Sequence, residues 1–243
     1  MTSFVDIHCH ALFGVDDGAI TEQDMYEMLR VAYENGTRTL CLTPHYDPKP
    51  GEDTEMTVEE SFALATSYCE KHLPDMKLVL GNELSYRVGC MDSLLSGSCR
   101  TLAGSRYVLV DFFLTPTLAE VKRGVSLIAG SGYIPIIAHV ERYACLFGKI
   151  REVEAFVESG ALIQVNADSL KMGVLSPVGR MARRLLAEGL VHMIASDAHN
   201  VTTRPPDLSE AYEAVRKKYG GTYAEILFSV NPQRVLSGVR IHS

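Results

Sequence analysis

Five of the eight histidines in this sequence fall where a short apolar run ends. His8 and His10 close the first run (DIHCH), His45 the second (LTPHY) and His139 a later one (IIAHVER), while His199 follows the last (ASDAHN). Carboxylates stand at equivalent positions: Asp17 in GVDDGA, Glu83 in LGNEL, Asp111 in VLVDF and Asp197 in SDAH. Residues i and i+2 of a strand point the same way. His8 and His10 therefore share a face while Cys9 points away, and Asp197 and His199 form a second such pair. Neutral imidazole mixed with carboxylate suits divalent first-row ions such as Mn, Fe or Zn; the lack of thiolates argues against a structural zinc site. One histidine at a strand end is ordinarily a hydrogen-bonded core residue. Nine such groups at one rim are not, because buried charges are too costly to accumulate without a cation. The other histidines are placed differently: His192 begins a strand at the opposite face, His72 ends a helix and His242 lies in the tail.

Strand-like and helix-like segments alternate along the whole chain and must position these groups. Apolar runs of strand length occur at 4–7, 39–42, 78–80, 107–110, 134–138, 162–165 and 191–195. The first helical segment has Met25, Leu29 and Ala32 on one face, with Thr21 as N-cap and Gly36 as C′ residue. Further helices are expected near 57–72, 117–130, 149–159, 176–188 and 207–219, with a short terminal helix at 231–236. Seven strands alternating with helices imply parallel βα units and an α/β barrel, closed or nearly so. The runs are apolar on both faces, as buried parallel strands must be. Chemistry in such a barrel sits at the C-terminal strand ends, where the nine groups fall. The 46–56 stretch is the most loop-like and belongs to the same rim. No linker or repeat interrupts the pattern, so residues 1–243 read as one domain.

Composition removes several alternatives. Against 23 Lys+Arg stand 30 Asp+Glu, a net charge of −7, which is a poor match to a nonspecific nucleic-acid binder. No apolar run approaches the ~20 residues that cross a bilayer, and MTSFVDIHCH lacks the order of a signal peptide. Six scattered cysteines without a C-x-x-C pair read as reduced thiols in a cytoplasmic protein.

DIHCH with GVDDGA, then TPHY, GNEL, AHVERY and SDAHN followed by TRPP, together resemble the PHP (polymerase and histidinol phosphatase) superfamily. Within it, the chain is most similar to the CpsB type, the bacterial tyrosine phosphatases linked to capsule and exopolysaccharide. The matching motifs run from Asp6 to Pro206 in the family's order. The resemblance implies a distorted TIM-like (β/α)7 barrel, the PHP fold, with three divalent metal ions, Mn2+ first and Fe or Zn as alternatives. Carried over by position, His8, His10, Glu83 and Asp197 surround one metal; Glu83 bridges to a second, held also by Asp111 and His139; Asp17, His45 and His199 hold the third. Arg142 and Arg204 match two arginines that face the substrate phosphate. The sequence departs from the family at Asp111, where Glu is usual, and the shorter side chain puts occupancy of one metal position in question.

Residue chemistry and resemblance both point to phosphate-ester hydrolysis. Paired metals acidify water, and two guanidinium groups offset phosphoryl charge. A phenolate leaving group, with a conjugate pKa of about 10, needs little protonation, which favours phosphotyrosine. The expected function is a metal-dependent protein-tyrosine phosphatase acting on a bacterial tyrosine kinase that controls polysaccharide export. The alternative is a small-molecule phosphomonoesterase of the histidinol-phosphatase type. A separate motif, Cys145 to Arg151, formally matches C-x5-R of thiolate tyrosine phosphatases, but Leu146, Phe147 and Ile150 are too bulky for a phosphate-wrapping loop. Asp6 reads as a hydrogen-bond acceptor behind the metal ligands and Asp16 as a loop residue; Asn166 and Glu141, also near the rim, receive no role.

Overall fold

A computed structural model describes residues 3–48, 56–113 and 115–241. Most of the 46–56 loop, and His242, lie outside the described residues. The first half of the chain runs β1 (Phe4–Cys9), α1 (Glu22–Glu34), β2 (Thr37–Leu42), β3 (His45–Tyr46), α2 (Val58–His72), β4 (Lys77–Leu80), β5 (Glu83–Ser85) and α3 (Cys90–Ser96). It continues as β6 (Tyr107–Asp111), α4 (Leu118–Gly130), β7 (Ile134–Ile137), α5 (Ile150–Glu158), β8 (Leu162–Asn166), α6 (Ala167–Lys171), α7 (Pro177–Ala187) and β9 (Met193–Ala195). Three helices, α8 (Ser209–Tyr219), α9 (Gly221–Glu225) and α10 (Asn231–Leu236), follow. Thr21 caps α1 through a reciprocal pair of bonds with Asp24. The same Thr-x-x-acid device starts α2 at Thr57 and α4 at Thr117. Gly36 follows α1 at φ +101°, a backbone state that glycine adopts without strain.

The seven expected strands appear as seven staves, two of them broken. β2 and β3 are one stave interrupted at Thr43–Pro44; β4 and β5 are another, interrupted at Gly81–Asn82. β1, β2 and β4 pair in one sheet, and β3, β5, β6, β7, β8 and β9 pair in order in the second; every strand pair is parallel. Pro44 has no N–H for the ladder, but its carbonyl accepts the Glu83 amide at 3.2 Å, so the staves stay joined across the break. The ring closes where the Asp197 amide donates to the His8 carbonyl (2.8 Å) and the His10 amide to the Ala198 carbonyl (2.9 Å). Below the break β4 has no β6 partner; the turn Leu102–Gly104 lies there, with Leu102 fully buried.

The interior is filled by Val5, Ile7, Cys41, Tyr107, Leu109, Ile136, Leu162 and Met193. Val108, Val110, Ile137, Ile163 and Ile194 face outward against α4, α5, α7 and α8. Leu40, Leu42 and Cys9 face α1 and α2. Strands buried on both sides hold their ends rigidly, and the C-terminal ends are where the polar groups collect. Among the described residues, no helix is long and apolar enough to cross a membrane.

Candidate active site

The structure brings eight of the nine expected ligands into three contiguous groups: His8, His10 and Asp197; His8, Glu83 and His139; and His10, Asp17, His45 and His199. The ligand atoms within each group lie within 4.8 Å of one another. Glu83, fully buried at the start of β5, is central. Its Oε2 stands 3.3 Å from the Nε2 atoms of both His8 and His10 and 3.0 Å from His45 Nδ1, while Oε1 stands 2.9 Å from His139 Nε2. Asp197 Oδ1 is 3.3 Å from His8 Nε2. The third group opens to solvent: Asp17 Oδ1 lies 3.3 Å from His45 Nε2 and 3.4 Å from His199 Nε2 with its side chain 69% exposed.

The donor chemistry fits a cation. His10 Nδ1 is 2.7 Å from Asp16 Oδ2, which holds its proton on that nitrogen. His8 Nδ1 is likewise engaged, 3.1 Å from Gln164 Oε1. The two Nε2 atoms then face each other at 3.1 Å beside two carboxylate oxygens. Lone pairs at such separations repel unless a proton or a cation lies among them. Glu83 Oε2 is buried with no hydrogen bond of good geometry, as a metal ligand would be.

Without metal, protons take that place. Burial opposes charging His10, but Asp16 and Glu83 overcome it and raise its pKa to about 9. His139 also reaches about 9 against its burial, through Glu83. Asp17 and Glu83 raise His45 to about 11. Burial would raise Glu83 as well, yet His8 and the surrounding imidazoles hold it well below the usual carboxylate range. His199 is lowered by burial in spite of Asp17.

Arg142 and Arg204 both reach the site, and Asp197 gathers them. Its Oδ2 accepts from Arg204 Nη2 at 2.6 Å, Asn166 Nδ2 at 2.6 Å and Arg142 Nη1 at 3.3 Å. One carboxylate thus turns one oxygen to the imidazoles and the other to the guanidinium groups. Arg142 also touches Asp168 Oδ2 at 3.3 Å. The loop carrying Arg204 is folded round Asn200, whose Oδ1 accepts the amides of Thr202, Thr203 and Arg204. His139 (φ +30°) and Asp197 (φ +51°) adopt left-handed backbone, strain of a kind that collects at functional sites.

The family described as "Capsular polysaccharide synthesis, CpsB/CapC" matches residues 4–237. This chain belongs to the CpsB/CapC family. It is 31% identical over 237 residues to the tyrosine-protein phosphatase CpsB of Streptococcus pneumoniae, covering 96% of this chain and 98% of that protein. It is 30% identical over 216 residues to the tyrosine-protein phosphatase YwqE of Bacillus subtilis (strain 168), covering 89% and 85%. A solved structure from the work on YwqE and CpsB, described as unique metal-dependent tyrosine phosphatases, superposes with a TM-score of 0.88 at 28% identity over 98% of this chain and 96% of that one. Histidinol phosphate phosphatase of Lactococcus lactis shares the fold at 16% identity, TM-score 0.56, over 94% and 98%.

Several residues of this CpsB/CapC chain stand differently from the sequence expectation. Asp111, the ninth expected ligand, is outside the three groups. Its Oδ1 is 3.9 Å from His139 Nε2 and is engaged by the Tyr143 hydroxyl (3.0 Å) and the Phe113 amide (2.9 Å). Asp16 is more than a loop residue: besides holding His10 it accepts the amides of His45 (3.0 Å) and Gly18 (3.0 Å). Gly18 is required beside it, since a Cβ there would stand 1.9 Å from the His10 carbonyl oxygen. Asp6 is the hydrogen-bond acceptor expected, taking the backbone amides of His8 and Ser196. A register slip between Asp6 and Cys9 breaks the simple alternation that would align Asp6 with His8. His192 precedes β9 by one residue and bonds Ile163, away from the site.

The C-x5-R segment makes no rival centre. Cys145 packs against the outer core, and burial raises its thiol pKa, whereas a thiolate nucleophile needs it lowered. Cys145→Ser is expected to leave phosphatase activity within about twofold of wild type in steady-state assays; loss of activity would reinstate the thiol.

Proposed function

We propose that this chain is a metal-dependent protein-tyrosine phosphatase. Asp197 carries the reading: it joins a histidine–carboxylate cluster to two arginines through its two oxygens. His8, His10, Glu83 and Asp197 would hold one divalent ion, Glu83, His139 and Asp111 a second, and Asp17, His45 and His199 a third, with Mn2+ the expected metal. Bound divalent ions supply Lewis acidity, which generates a nucleophile from water and screens phosphoryl charge. Arg142 and Arg204 bind the phosphoryl oxygens and set their orientation, since a guanidinium matches phosphate with two parallel N–H donors. Asp197 keeps both guanidinium groups aimed at the rim before substrate arrives. Asp17 and His45, the solvent-facing members, leave room for a phosphate carried on a protein surface. Phenolate leaves with little protonation, so these residues need supply no strong general acid.

The proposal extends to a single barrel domain over residues 1–243, a cytoplasmic setting, and a bacterial tyrosine kinase of polysaccharide export as phosphoprotein substrate. Capsule-linked naming of the family supports the last point. The test compares kcat/KM on a phosphotyrosine peptide with that on histidinol phosphate. Preference for the peptide by roughly 100-fold is expected. The reverse preference would keep the metal site and replace the substrate.

A further inference from the structure

The backbone amide of His139 donates to Gln164 Oε1 at 2.9 Å. A backbone N–H can only donate, so this one bond fixes the polarity of a longer chain of contacts. Gln164 Oε1 is an acceptor, and the His8 Nδ1 atom 3.1 Å from it must carry a hydrogen. The neutral His8 ring then has its lone pair on Nε2, the atom that faces His10, Glu83 and Asp197. The other end of the same amide, Gln164 Nε2, donates to Asn166 Oδ1 at 2.7 Å. Asn166 is thereby oriented to donate from Nδ2 to Asp197 Oδ2 at 2.6 Å, leaving Asp197 Oδ1 for the imidazoles.

Gln164 and Asn166 are i and i+2 on β8, both completely buried. They connect ligands on three other segments: His8 on β1, His139 after β7 and Asp197 after β9. Aliphatic side chains would fill the same strand at no polar cost, whereas buried amides are tolerated only when fully bonded. We infer that Gln164 and Asn166 are positioning residues that fix the hydrogen of His8 on Nδ1 and the rotation of Asp197, so that both present lone pairs to one divalent cation. The inference rests on the metal-centre reading above. Such supporting bonds are worth about 10- to 100-fold in metal affinity where they have been removed.

The experiment titrates Mn2+ into the full-length protein and counts free ion by electron paramagnetic resonance. Gln164→Met, close in shape but without polar ends, and Asn166→Leu are each expected to weaken the tightest Mn2+ site by about 10- to 100-fold. The double variant should bind no more weakly than Gln164→Met alone, because losing Gln164 already frees both His8 and Asn166, whereas losing Asn166 frees only Asp197. Gln164→Glu keeps an acceptor for His8 and His139 but turns a second acceptor toward Asn166; it too should weaken binding, and it serves if Gln164→Met does not fold. Proton NMR of the metal-free proteins gives a second readout. The bonded Nδ1 hydrogen of His8 should be lost in Gln164→Met and kept in Asn166→Leu. Affinity unchanged within about twofold in folded variants overturns the relay alone. Loss of folding in every variant assigns the pair to the scaffold and also overturns it. Wild-type protein that binds no Mn2+ overturns the metal-centre reading, and the relay with it.

Discussion

Asp197→Ala is expected to lower kcat/KM on a phosphotyrosine peptide on the order of 10³-fold. Among the described residues, no other meets both halves of the site. Its Oδ1 faces the His8 and His10 nitrogens, and its Oδ2 accepts from Arg204, Arg142 and Asn166. Alanine removes a cation ligand and releases two guanidinium groups from the direction in which they meet phosphate. Asp197→Asn keeps the shape and loses the charge, so it should fall between alanine and wild type. Steady-state kinetics with Mn2+ in excess, beside thermal unfolding of each variant, separates lost chemistry from lost fold. A decrease under about tenfold in a folded Asp197→Ala protein would sink the assignment.

Metal removal is the second large effect. Dialysis against a chelator is expected to reduce turnover by on the order of 10³-fold, and Mn2+ to restore it. Turnover that survives complete removal would overturn the metal mechanism and return attention to Cys145. The pH dependence follows from the imidazoles. In the metal-free protein His10 and His139 titrate near 9, above their ordinary 6.5, so at neutral pH they hold protons that a cation must displace. Apparent Mn2+ affinity should therefore rise with pH until about 9. The same shift has the opposite sign for the metal-free fold. A raised pKa stabilises fully below 6.5, and that contribution is lost as pH rises through about 9. Metal-free protein should then lose this stabilisation at alkaline pH, just where metal binds best.

That these histidines and carboxylates gather at one rim was legible in the sequence, because they stand at the ends of apolar runs that form parallel strands. Histidines closing apolar runs had to meet at one rim once the staves were parallel. What was hidden depends on turns and on distance along the chain. Asp16 and Asp17 are chemically identical neighbours, and only the turn at Gly18 sends one inward to His10 and the other outward, 69% exposed, to His45 and His199. Gln164 looked like any polar residue in an apolar run; its partners at His8 and Asn166 are set by register between strands far apart in sequence. The two-residue β3 carries no pattern of its own, and it exists because Pro44 breaks a longer stave. α3 is bracketed by Gly89 (φ +91°) and Gly97 (φ +79°), with no side-chain cap to announce it. At Asp111 the sequence does not reveal that Oδ1 accepts from the Tyr143 hydroxyl and the Phe113 amide, contacts set by the fold of the segments after β6 and β7.

The seam between β1 and the segment after β9 has a consequence for how the protein is made. The amides that close the ring belong to His10 and Asp197, two members of the histidine–carboxylate cluster. During synthesis His8 and His10 leave the ribosome more than 180 residues before Asp197 and His199. At ordinary translation rates of roughly 5–20 residues per second, they wait about ten seconds or longer without their partners. A nascent chain that has not reached β9 has neither a closed cylinder nor a complete site. Activity therefore cannot precede synthesis of the segment after β9, and an ion seated at the seam would latch that segment to β1.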